Sequence, residues 1–378
     1  MERKNLALLC AGVVCFWLFA LALGTAEGVG LRAVMHPEER AVSADVEEAA
    51  EGILLPAAAA APQLDLNCRA AILIEQGSGR VLYEKNADER VPIASITKVM
   101  TCLLTLEAVD RGELSLEQTV TASSALHTGI GEGASTADIK EGEQIRIIDL
   151  LTHTSGLPAY ASVDKVIETY GKADPDSLMA YICTMPRGFK PTTDYRYSCL
   201  NFITLQNILQ NITGERLCDY AQRHVFDVLG MEHTTYCPKA FGKTEIMKLV
   251  APTTVSADGT VLLGETHDPL ARLLNFGNSG NAGVFSSAED LAILCAALLN
   301  GGEINGRRVL GKLTVEAMLR EPETTKGIGH TLGWVSYSQN SMNLLDPELT
   351  VGHTGYTGTQ IILDPVNDVA IILLAHRV

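Results

Sequence analysis

The sequence has no surplus of basic residues, and this argues against nucleic acid as a partner. Its 378 residues include 29 Lys and Arg against 45 Asp and Glu, which gives a formal net charge of −16. Nucleic acids attract proteins mainly through phosphates that favour a basic surface. Two motifs of other hydrolases are also missing, the zinc-binding HExxH and the GxSxG elbow of α/β-hydrolases. We therefore expect no metal and no other cofactor.

The cysteines lack the spacing of a disulfide framework or a zinc site. Of nine cysteines, Cys10 and Cys15 lie in an apolar N-terminal run, and the other seven form no CxxC pair. Cys102 and Cys295 lie in apolar helical runs, where a thiol usually packs as a small hydrophobic group. We expect mostly free, buried thiols and at most one or two bridges.

The N-terminal residues 1–26 have the pattern of an export segment. Arg3 and Lys4 precede an apolar run over residues 5–24, and small residues follow where a signal peptidase would cut. The run is also long enough to span a bilayer, so a cleaved signal peptide and a retained membrane anchor both stay open. Residues 27–66 are rich in Ala and Glu and predict a linker, while residues 67–378 form the folded domain. We expect that domain outside the cytoplasm.

Strand patterns at both ends of the folded part enclose a mainly helical middle. The predicted strands are short aliphatic runs bounded by turn residues: Ala70–Ile74, Arg80–Glu84, Leu332–Ser338, Thr359–Leu363 and Val369–Leu374. The clearest predicted helices are Ile93–Val109, Phe202–Ile212 and Ala288–Leu299. This order predicts one sheet built from both termini, with a helical region inserted in it.

Ser95 and Lys98 are the sharpest chemical feature of the chain. Residues three apart on a helix share a face, so the hydroxyl and the amine can meet. A serine hydroxyl becomes a good nucleophile only when a base takes its proton, and a desolvated lysine amine can act as that base. Ser95 also lies at the predicted helix start, where free N–H groups favour negative charge. Because Ser-x-x-Lys occurs by chance in many helices, the pair alone is weak support.

The residues around this pair resemble known serine enzymes. The stretches Val81–Asp88 and Pro92–Thr101 resemble the nucleophile region of D-alanyl-D-alanine carboxypeptidases. Three further segments resemble the serine β-lactamase-related family, which includes class C β-lactamases, DD-peptidases and esterases: Leu150–Pro158, Val228–Met231 and Gly283–Leu291. From about residue 69 onward, the chain is therefore similar to the penicillin-recognising serine enzymes. The implied fold is α/β (α+β), an antiparallel sheet flanked by helices with a mainly helical subdomain.

The resemblance assigns roles to residues of two further motifs. In the second motif, Tyr197 takes the place of a tyrosine that relays protons, and Cys199 takes the place of an asparagine. A thiol cannot supply the donors and acceptor of an amide. Asn201 is the candidate substitute, although its side chain would point differently if the helix has already begun there. The long intervals from Ser95 to Tyr197 and from Tyr197 to His353 resemble the class C-related branch.

The third motif is His353-Thr354-Gly355, where relatives have Lys-Thr-Gly or His-Thr-Gly. Gly355 lets the strand edge approach a substrate closely. The resemblance implies that the backbone N–H groups of Tyr356 and Ser95 form an oxyanion hole. His353 in place of lysine makes any positive charge there conditional, because histidine titrates near pH 6.5.

The resemblance implies an exported serine hydrolase that forms an acyl-enzyme through Ser95. The expected substrate is a D-Ala-D-Ala-like peptidoglycan stem peptide, and a β-lactam or a small ester would use the same residues. A protein of a different class, a catalytically weak cell-wall-binding or β-lactam-binding sensor, is the alternative that Cys199 and His353 favour. Fold resemblance does not decide between these substrates, and the sequence leaves the oligomeric state open.

Overall fold

The structure is a computed structural model that describes residues 64–76, 80–120, 144–248, 250–256, 259–337, 345–346, and 348–376. The predicted export segment, nearly all of the predicted linker and the turn at residues 77–79 lie outside these ranges. Within them, no helix is both long and apolar enough to cross a membrane.

Both ends of the folded part contribute to one six-stranded antiparallel sheet, with strand order β10-β11-β12-β13-β1-β2. Its strands are β1 Ala70–Glu75, β2 Arg80–Lys85, β10 Val335–Ser336, β11 Val351–Thr354, β12 Thr359–Asp364 and β13 Val369–Leu374. The N-terminal strand β1 pairs with the C-terminal strand β13, so that Ala70 lies opposite Leu374. The prediction of one sheet built from both termini is therefore confirmed.

Helices and short strands fill the chain between the two parts of this sheet. The helices are α1 Thr97–Asp110, α2 Ile147–Leu151, α3 Val163–Tyr170, α4 Pro175–Thr184, α5 Cys199–Thr213, α6 Leu217–Ala221, α7 Asp227–Leu229, α8 Thr244–Met247, α9 Ala288–Leu299 and α10 Lys312–Met318. The remaining strands are β3 Val91–Pro92, β4 Thr235–Tyr236, β5 Pro252–Val255, β6 Val261–Leu263, β7 Val284–Ser286, β8 Glu303–Ile304 and β9 Arg307–Arg308. The predicted fold class, a sheet with helices and an inserted helical region, is confirmed.

Three of these helices, all predicted from the sequence, carry many of the buried apolar side chains. Helix α9 packs against β13 and β1 on one face of the main sheet. Helices α1 and α5 pack against each other in the helical half. Burying one Leu or Ile side chain contributes about 1.5–3 kcal/mol to stability. The buried side chains of these three helices therefore stabilise both the sheet side and the helical half of the fold.

Strand β10 is shorter than predicted because its first half is a turn. The prediction was Leu332–Ser338, whereas the strand is Val335–Ser336. The N–H of Thr331 donates to the carbonyl of Trp334, and Gly333 between them has a φ of 84°. A Cβ on Gly333 would lie 2.7 Å from the side chain of Cys102. The close approach to helix α1 thus requires the turn and a glycine.

The seven cysteines that the structure describes are all free thiols, as expected for most of them. Four are buried (Cys102, Cys218, Cys237 and Cys295), and three are half-buried (Cys68, Cys183 and Cys199). Burial raises the pKa of Cys102 and of Cys295, so these two thiols stay protonated. Within the described part of the chain, packing and hydrogen bonds stabilise the fold without a disulfide.

Candidate active site

Ser95 lies on a tight turn that leads from strand β3 into helix α1. A 3₁₀ turn spans Ala94–Ile96, and Ala94, just before Ser95, has a φ of 50°. A non-glycine residue in this left-handed region costs roughly 1–2 kcal/mol. Such strain persists only where the surroundings enforce it. The turn leaves Ser95 half-buried at the start of the helix, with its neighbours Ala94 and Ile96 fully buried.

Two threonines that follow the third motif hold this turn in place. The hydroxyl of Thr357 donates to the carbonyl of Pro92 at 2.8 Å, and the hydroxyl of Thr359 donates to the carbonyl of Ile93 at 3.0 Å. The N–H of Ile93 donates to the carbonyl of Val284 at 3.1 Å. The nucleophile turn is therefore fixed between the main sheet and the small sheet β3-β7-β4.

Lys98 lies one turn after Ser95 and is fully buried. Its Nζ donates to Ser95 Oγ at 3.3 Å and to the carbonyl oxygen of Asn281 at 2.9 Å. The same Nζ lies 5.0 Å from the centre of the Tyr197 ring. Serine, lysine and tyrosine, which the sequence places far apart, therefore converge at one point.

The pKa of Lys98 lies above its usual value, which corrects the expectation from burial alone. Burial lowers the pKa of this amine. The neighbouring Cys199 and Tyr197 raise it, as does the carboxylate of Asp268, and their combined effect is larger. In the resting site Lys98 is therefore an ammonium group that donates to Ser95.

Cys199 is the first residue of helix α5 and lies beside Lys98. Ser198 caps this helix, because its hydroxyl accepts a hydrogen bond from the N–H of Leu200 at 3.2 Å. The N–H of Cys199 donates to the carbonyl of Ala159 at 2.9 Å. The thiol thus occupies the position that the resemblance gives to an amide.

Asn201 is hydrogen-bonded within the protein, and its contact with a substrate stays a prediction. It is fully buried, and its Oδ1 accepts a hydrogen bond from the Ser155 hydroxyl at 2.6 Å. Its Nδ2 lies 3.2 Å from Nδ1 of His153, which also accepts the N–H of Ser198 at 3.1 Å. Asn201 lies within helix α5, and its side chain contacts Ser155 and His153. These contacts connect the helix to the segment that contains those two residues.

His153 packs directly behind the tyrosine of the site. Its ring centre lies 4.5 Å from that of Tyr197 and 5.1 Å from that of His330. Burial lowers the pKa of His153 well below its usual value, and the nearby His330 and Lys98 lower it further. The imidazole is therefore neutral, and we assign it the role of positioning Tyr197.

His353 is buried in strand β11 and is neutral. Its exposed fraction is 2%, and burial, assisted by Lys98 and His330, lowers its pKa to about 3. Its Nδ1 lies 2.9 Å from the carbonyl of Thr354 and donates to it, which leaves the lone pair on Nε2. His353 lies near Tyr197, with ring centres 6.3 Å apart, but it brings no positive charge to the site.

Gly355 and Tyr356 form the edge of the cleft next to the nucleophile. A Cβ on Gly355 would lie 2.5 Å from the carbonyl oxygen of Ile93 and 2.1 Å from the Thr359 hydroxyl. The N–H of Gly355 donates to the carbonyl of Thr359 at 2.7 Å, which closes a turn with Tyr356 at its tip. The backbone at Gly355, just before Tyr356, is thereby held against Ile93 and Ala94, the two residues that precede Ser95.

Three residues of the opposite wall were not predicted from the sequence. His267 stacks on the ring of Tyr356, with centres 4.8 Å apart and planes at 13°. Asp268 is buried, its Oδ1 accepts the N–H of Ala271 at 2.8 Å, and its charge raises the pKa of Lys98. Asn281 contributes a backbone carbonyl to Lys98, and a motif of side chains does not reveal such a contact. The one feature of the sequence that could have indicated a close approach here is the glycine before Asn281. A Cβ on that glycine would lie 2.2 Å from a carbonyl oxygen of helix α5.

The described part of the chain contains no group of three or more His, Cys, Asp or Glu side chains that could hold a metal ion. The site brings together the Ser95 hydroxyl, the Lys98 ammonium group and the Tyr197 ring. A nucleophile with a proton-transfer partner at hydrogen-bond distance is the arrangement required for acyl transfer.

Comparison with known proteins agrees with this arrangement. The profile of the Beta-lactamase family matches residues 70–378. An N-acetylmuramyl-L-alanine amidase from Bacillus subtilis is 30% identical over 302 residues, which cover 75% of this chain and 67% of the relative. A putative D-alanyl-D-alanine carboxypeptidase from Salmonella gallinarum is 31% identical over 261 residues, or 63% of this chain, and the match spans only 59% of that relative.

Solved structures share the fold at lower identity. An octameric penicillin-binding protein homologue from Pyrococcus abyssi has a TM-score of 0.59 and 21% identity, covering 81% of this chain and 69% of that one. A simvastatin synthase mutant from Aspergillus terreus has a TM-score of 0.60 and 18% identity, covering 82% and 87%. Because the family profile spans most of the sequence, the protein belongs to the beta-lactamase family of serine hydrolases and penicillin-binding proteins.

Proposed function

We propose that the protein is an exported serine hydrolase that removes the terminal D-Ala from peptidoglycan stem peptides through an acyl-Ser95 intermediate. The observation that carries the proposal is the convergence of Ser95, Lys98 and Tyr197. Lys98 Nζ lies 3.3 Å from Ser95 Oγ and 5.0 Å from the centre of the Tyr197 ring.

In the proposed first half-reaction, Ser95 Oγ attacks the carbonyl carbon of the scissile amide. The serine proton passes to the deprotonated Lys98–Tyr197 pair, and the oxyanion forms against the N–H groups of Ser95 and Tyr356. Such donors contribute about 3–4 kcal/mol each to transition-state stabilisation. The carbon–nitrogen bond then breaks, and the leaving amine takes its proton from the Tyr197 hydroxyl.

The second half-reaction reverses the proton transfers. A water molecule gives a proton to the Lys98–Tyr197 pair and attacks the acyl ester, and the shortened peptide leaves while Ser95 recovers its proton. The anchoring of the Ser95 turn by Thr357 and Thr359 supports this role, since acyl transfer depends on a fixed nucleophile.

The relatives support a peptidoglycan-type substrate and an extracytoplasmic location. The names of the aligned relatives, a muramyl-alanine amidase and a putative D-alanyl-D-alanine carboxypeptidase, both refer to cell-wall peptides. The apolar run at residues 5–24 supports export, and it would act as a signal peptide or as a membrane anchor. Residues 27–66 would then serve as a linker between that segment and the hydrolase domain at 67–378.

A small-ester hydrolase is a second candidate that one observation favours. A peptide that ends in D-Ala carries a terminal carboxylate, which a cation in the cleft would recognise. His353 occupies the position of the usual lysine but is buried and neutral. An ester without a carboxylate needs no such cation, so the same residues would hydrolyse it.

Labelling of Ser95 with two probes separates these functions. A fluorescent penicillin and a fluorophosphonate would be applied to the wild-type chain and to Ser95→Ala, with release of D-Ala from a D-Ala-D-Ala peptide measured in parallel. Ser95-dependent labelling by both probes together with D-Ala release supports the carboxypeptidase, and labelling with turnover of the penicillin supports a β-lactamase.

The remaining outcomes of this experiment point elsewhere. Labelling by the fluorophosphonate alone, with hydrolysis of a nitrophenyl ester, supports the esterase. If a folded wild-type chain reacts with neither probe but binds penicillin reversibly, the protein is a binding or sensor protein and the proposed acyl-enzyme is wrong. Ser155→Ala is the matched control, because Ser155 is a buried serine that donates to Asn201 and is outside the proposed chemistry.

A further inference from the structure

A second pocket, of about 650 Å³, lies beside Arg90 at the start of strand β3. Its lining includes the basic side chains of Arg69, Arg90 and Lys248 and the imidazole of His233. The chain from Arg90 to Ser95 is five residues long, so the pocket lies at most about 17 Å along the backbone from the nucleophile. None of the proposed catalytic residues lines it.

Arg90 is buried, and no carboxylate of the described residues lies within ion-pair distance of its guanidinium. Its exposed fraction is 8%, and its Nε has no hydrogen-bond partner among the described residues. A guanidinium has five N–H donors and keeps its charge at any physiological pH. Burying such a group without an acceptor is costly. The pocket that Arg90 lines is therefore the place where an acceptor would be stabilised.

The other positive charges of the pocket are already paired. Arg69 contacts Glu89, with nitrogen–oxygen distances of 2.7 and 2.5 Å. Lys248 contacts Glu245 at 2.6 Å and lies at the exposed rim. Of the lining carboxylates, Asp88 is exposed to solvent. The pocket thus presents one buried guanidinium whose charge the described residues leave without an ion pair.

Two further polar groups near Arg90, His233 and Asp290, form no ion pair with it at contact distance. Burial and the nearby Arg90 lower the pKa of His233, so its imidazole is neutral, and its buried Nδ1 has no partner in the described part of the chain. Asp290 Oδ2 accepts hydrogen bonds from the Thr234 hydroxyl at 2.6 Å and from the His233 N–H at 2.8 Å. Burial raises the pKa of Asp290 to about 7 although the nearby Arg90 lowers it, so near neutral pH this carboxylate balances only part of the Arg90 charge.

We propose that this pocket binds a small oxyanion, the carboxylate or phosphate group of a small molecule, through the guanidinium of Arg90. Planar pairing of guanidinium with a carboxylate or phosphate is directional and strong. The imidazole of His233 supplies a second contact. Lys248 forms only a solvent-exposed pair with Glu245, which is weak, so its ammonium group is able to turn to an anion at the rim. This site goes beyond the proposed hydrolase function and requires no acyl transfer.

Calorimetric titration of the full chain tests the site with two probes, inorganic phosphate and acetate, at low ionic strength. Wild-type protein is expected to bind one equivalent of at least one probe, and the probe that binds more tightly identifies a phosphate or a carboxylate ligand. In Arg90→Gln the affinity is expected to fall at least tenfold. Arg320→Gln, an exposed arginine outside the pocket, is the matched control and is expected to bind like wild type.

Lys248→Gln keeps the test decisive if Arg90→Gln does not fold. Lys248 is exposed, so its replacement is expected to preserve the fold, weaken binding by a few fold and reduce the dependence of affinity on salt. The proposal is wrong if wild-type protein binds neither probe saturably, or if folded Arg90→Gln binds as tightly as wild type. Labelling of Ser95 is measured separately, so a failure of the anion site is distinguished from a failure of the hydrolase function.

Discussion

Gly355 faces the carbonyl oxygen of Ile93, and a Cβ on Gly355 would lie 2.5 Å from that oxygen. Real Cβ atoms do not come this close to backbone oxygens, so the strand after His353 can touch the Ser95 turn only where it lacks a side chain. Two residues that are distant in sequence thereby set the width of the gap in which an oxyanion would form.

Gly355→Ala is therefore expected to reduce acylation of Ser95 by about 10²–10³-fold, since it moves the Tyr356 N–H away from the developing oxyanion. The measurement is the second-order rate constant of labelling with fluorophosphonate or fluorescent penicillin. Gly112→Ala is the control: Gly112 has a φ of 72° but no atom within 4 Å of its added Cβ. This control should lower stability by about 1–2 kcal/mol and leave labelling unchanged. Equal labelling of Gly355→Ala and wild type would contradict the proposed oxyanion hole.

The rate of Ser95 labelling is expected to rise with pH across the range from 6 to 10. The pKa of Lys98 lies above its usual value, so the deprotonated Lys98–Tyr197 pair that accepts the serine proton is scarce at neutral pH. His353, with a pKa of about 3, is neutral over this whole range and adds no inflection. Labelling rates of wild type and His353→Gln would be measured at each pH. A step near pH 6.5 that disappears in His353→Gln would show that this histidine titrates in the active enzyme.

Acid is expected to destabilise the fold through the two buried histidines of the main-sheet side. In the native state the pKa of His330 is about 4 and that of His353 is about 3, because burial disfavours the charged ring. In the unfolded chain both protonate near pH 6.5. Their stability contribution is therefore complete above pH 6.5 and is lost as the pH falls toward 4 and then 3. Each histidine adds a slope of about 1.4 kcal/mol per pH unit to the free energy of unfolding.

Urea unfolding of wild type, His330→Gln and His353→Gln at pH 7, 6 and 5 measures these slopes. In each variant, the slope of the unfolding free energy against pH is expected to decrease by the contribution of one histidine. This holds whatever the stability of the variant at pH 7. Arg320→Gln serves as the control, because Arg320 is exposed and is not among the groups that shift the pKa of either ring. Parallel stability–pH lines for His353→Gln and wild type would mean that His353 is not held neutral in the native state.

Much of the site was predictable because its side chains occur in local motifs. Ser95 and Lys98 share a helix face, and this spacing alone brings their polar atoms to 3.3 Å. The sheet built from both termini was predictable from aliphatic runs at 70–74 and 369–374. When strands occur at both ends of a domain and helices lie between them in sequence, pairing the strands in one sheet covered by helices is one of the few arrangements that bury their apolar faces.

The contacts that could not be predicted are made by backbone atoms or depend on several groups at once. The carbonyl of Asn281 reaches Lys98 across 183 residues of sequence, and a carbonyl carries no residue-type signal. The direction of the Lys98 pKa depends on the balance between burial and three neighbours, which only the folded geometry determines. The orientation of Asn201 depends on where helix α5 begins. Ser198 is a good N-cap residue, and the helix starts one residue after it, at Cys199.

Replacing Cys199 tests whether the thiol limits the chemistry. Cys199→Asn adds two donors and an acceptor beside Lys98, at the position where relatives use an amide. One added hydrogen bond contributes about 0.5–1.5 kcal/mol, so acylation by the fluorescent penicillin should rise about two- to tenfold, whereas Cys199→Ala should not exceed wild type. The fluorophosphonate has no amide to orient and should respond less. Cys183→Asn, a half-buried cysteine in helix α4, controls for a general effect on the fold. If Cys199→Asn is acylated no faster than Cys199→Ala, the side chain at this position does not orient an amide of the substrate. That result would favour a substrate without such an amide, for example an ester.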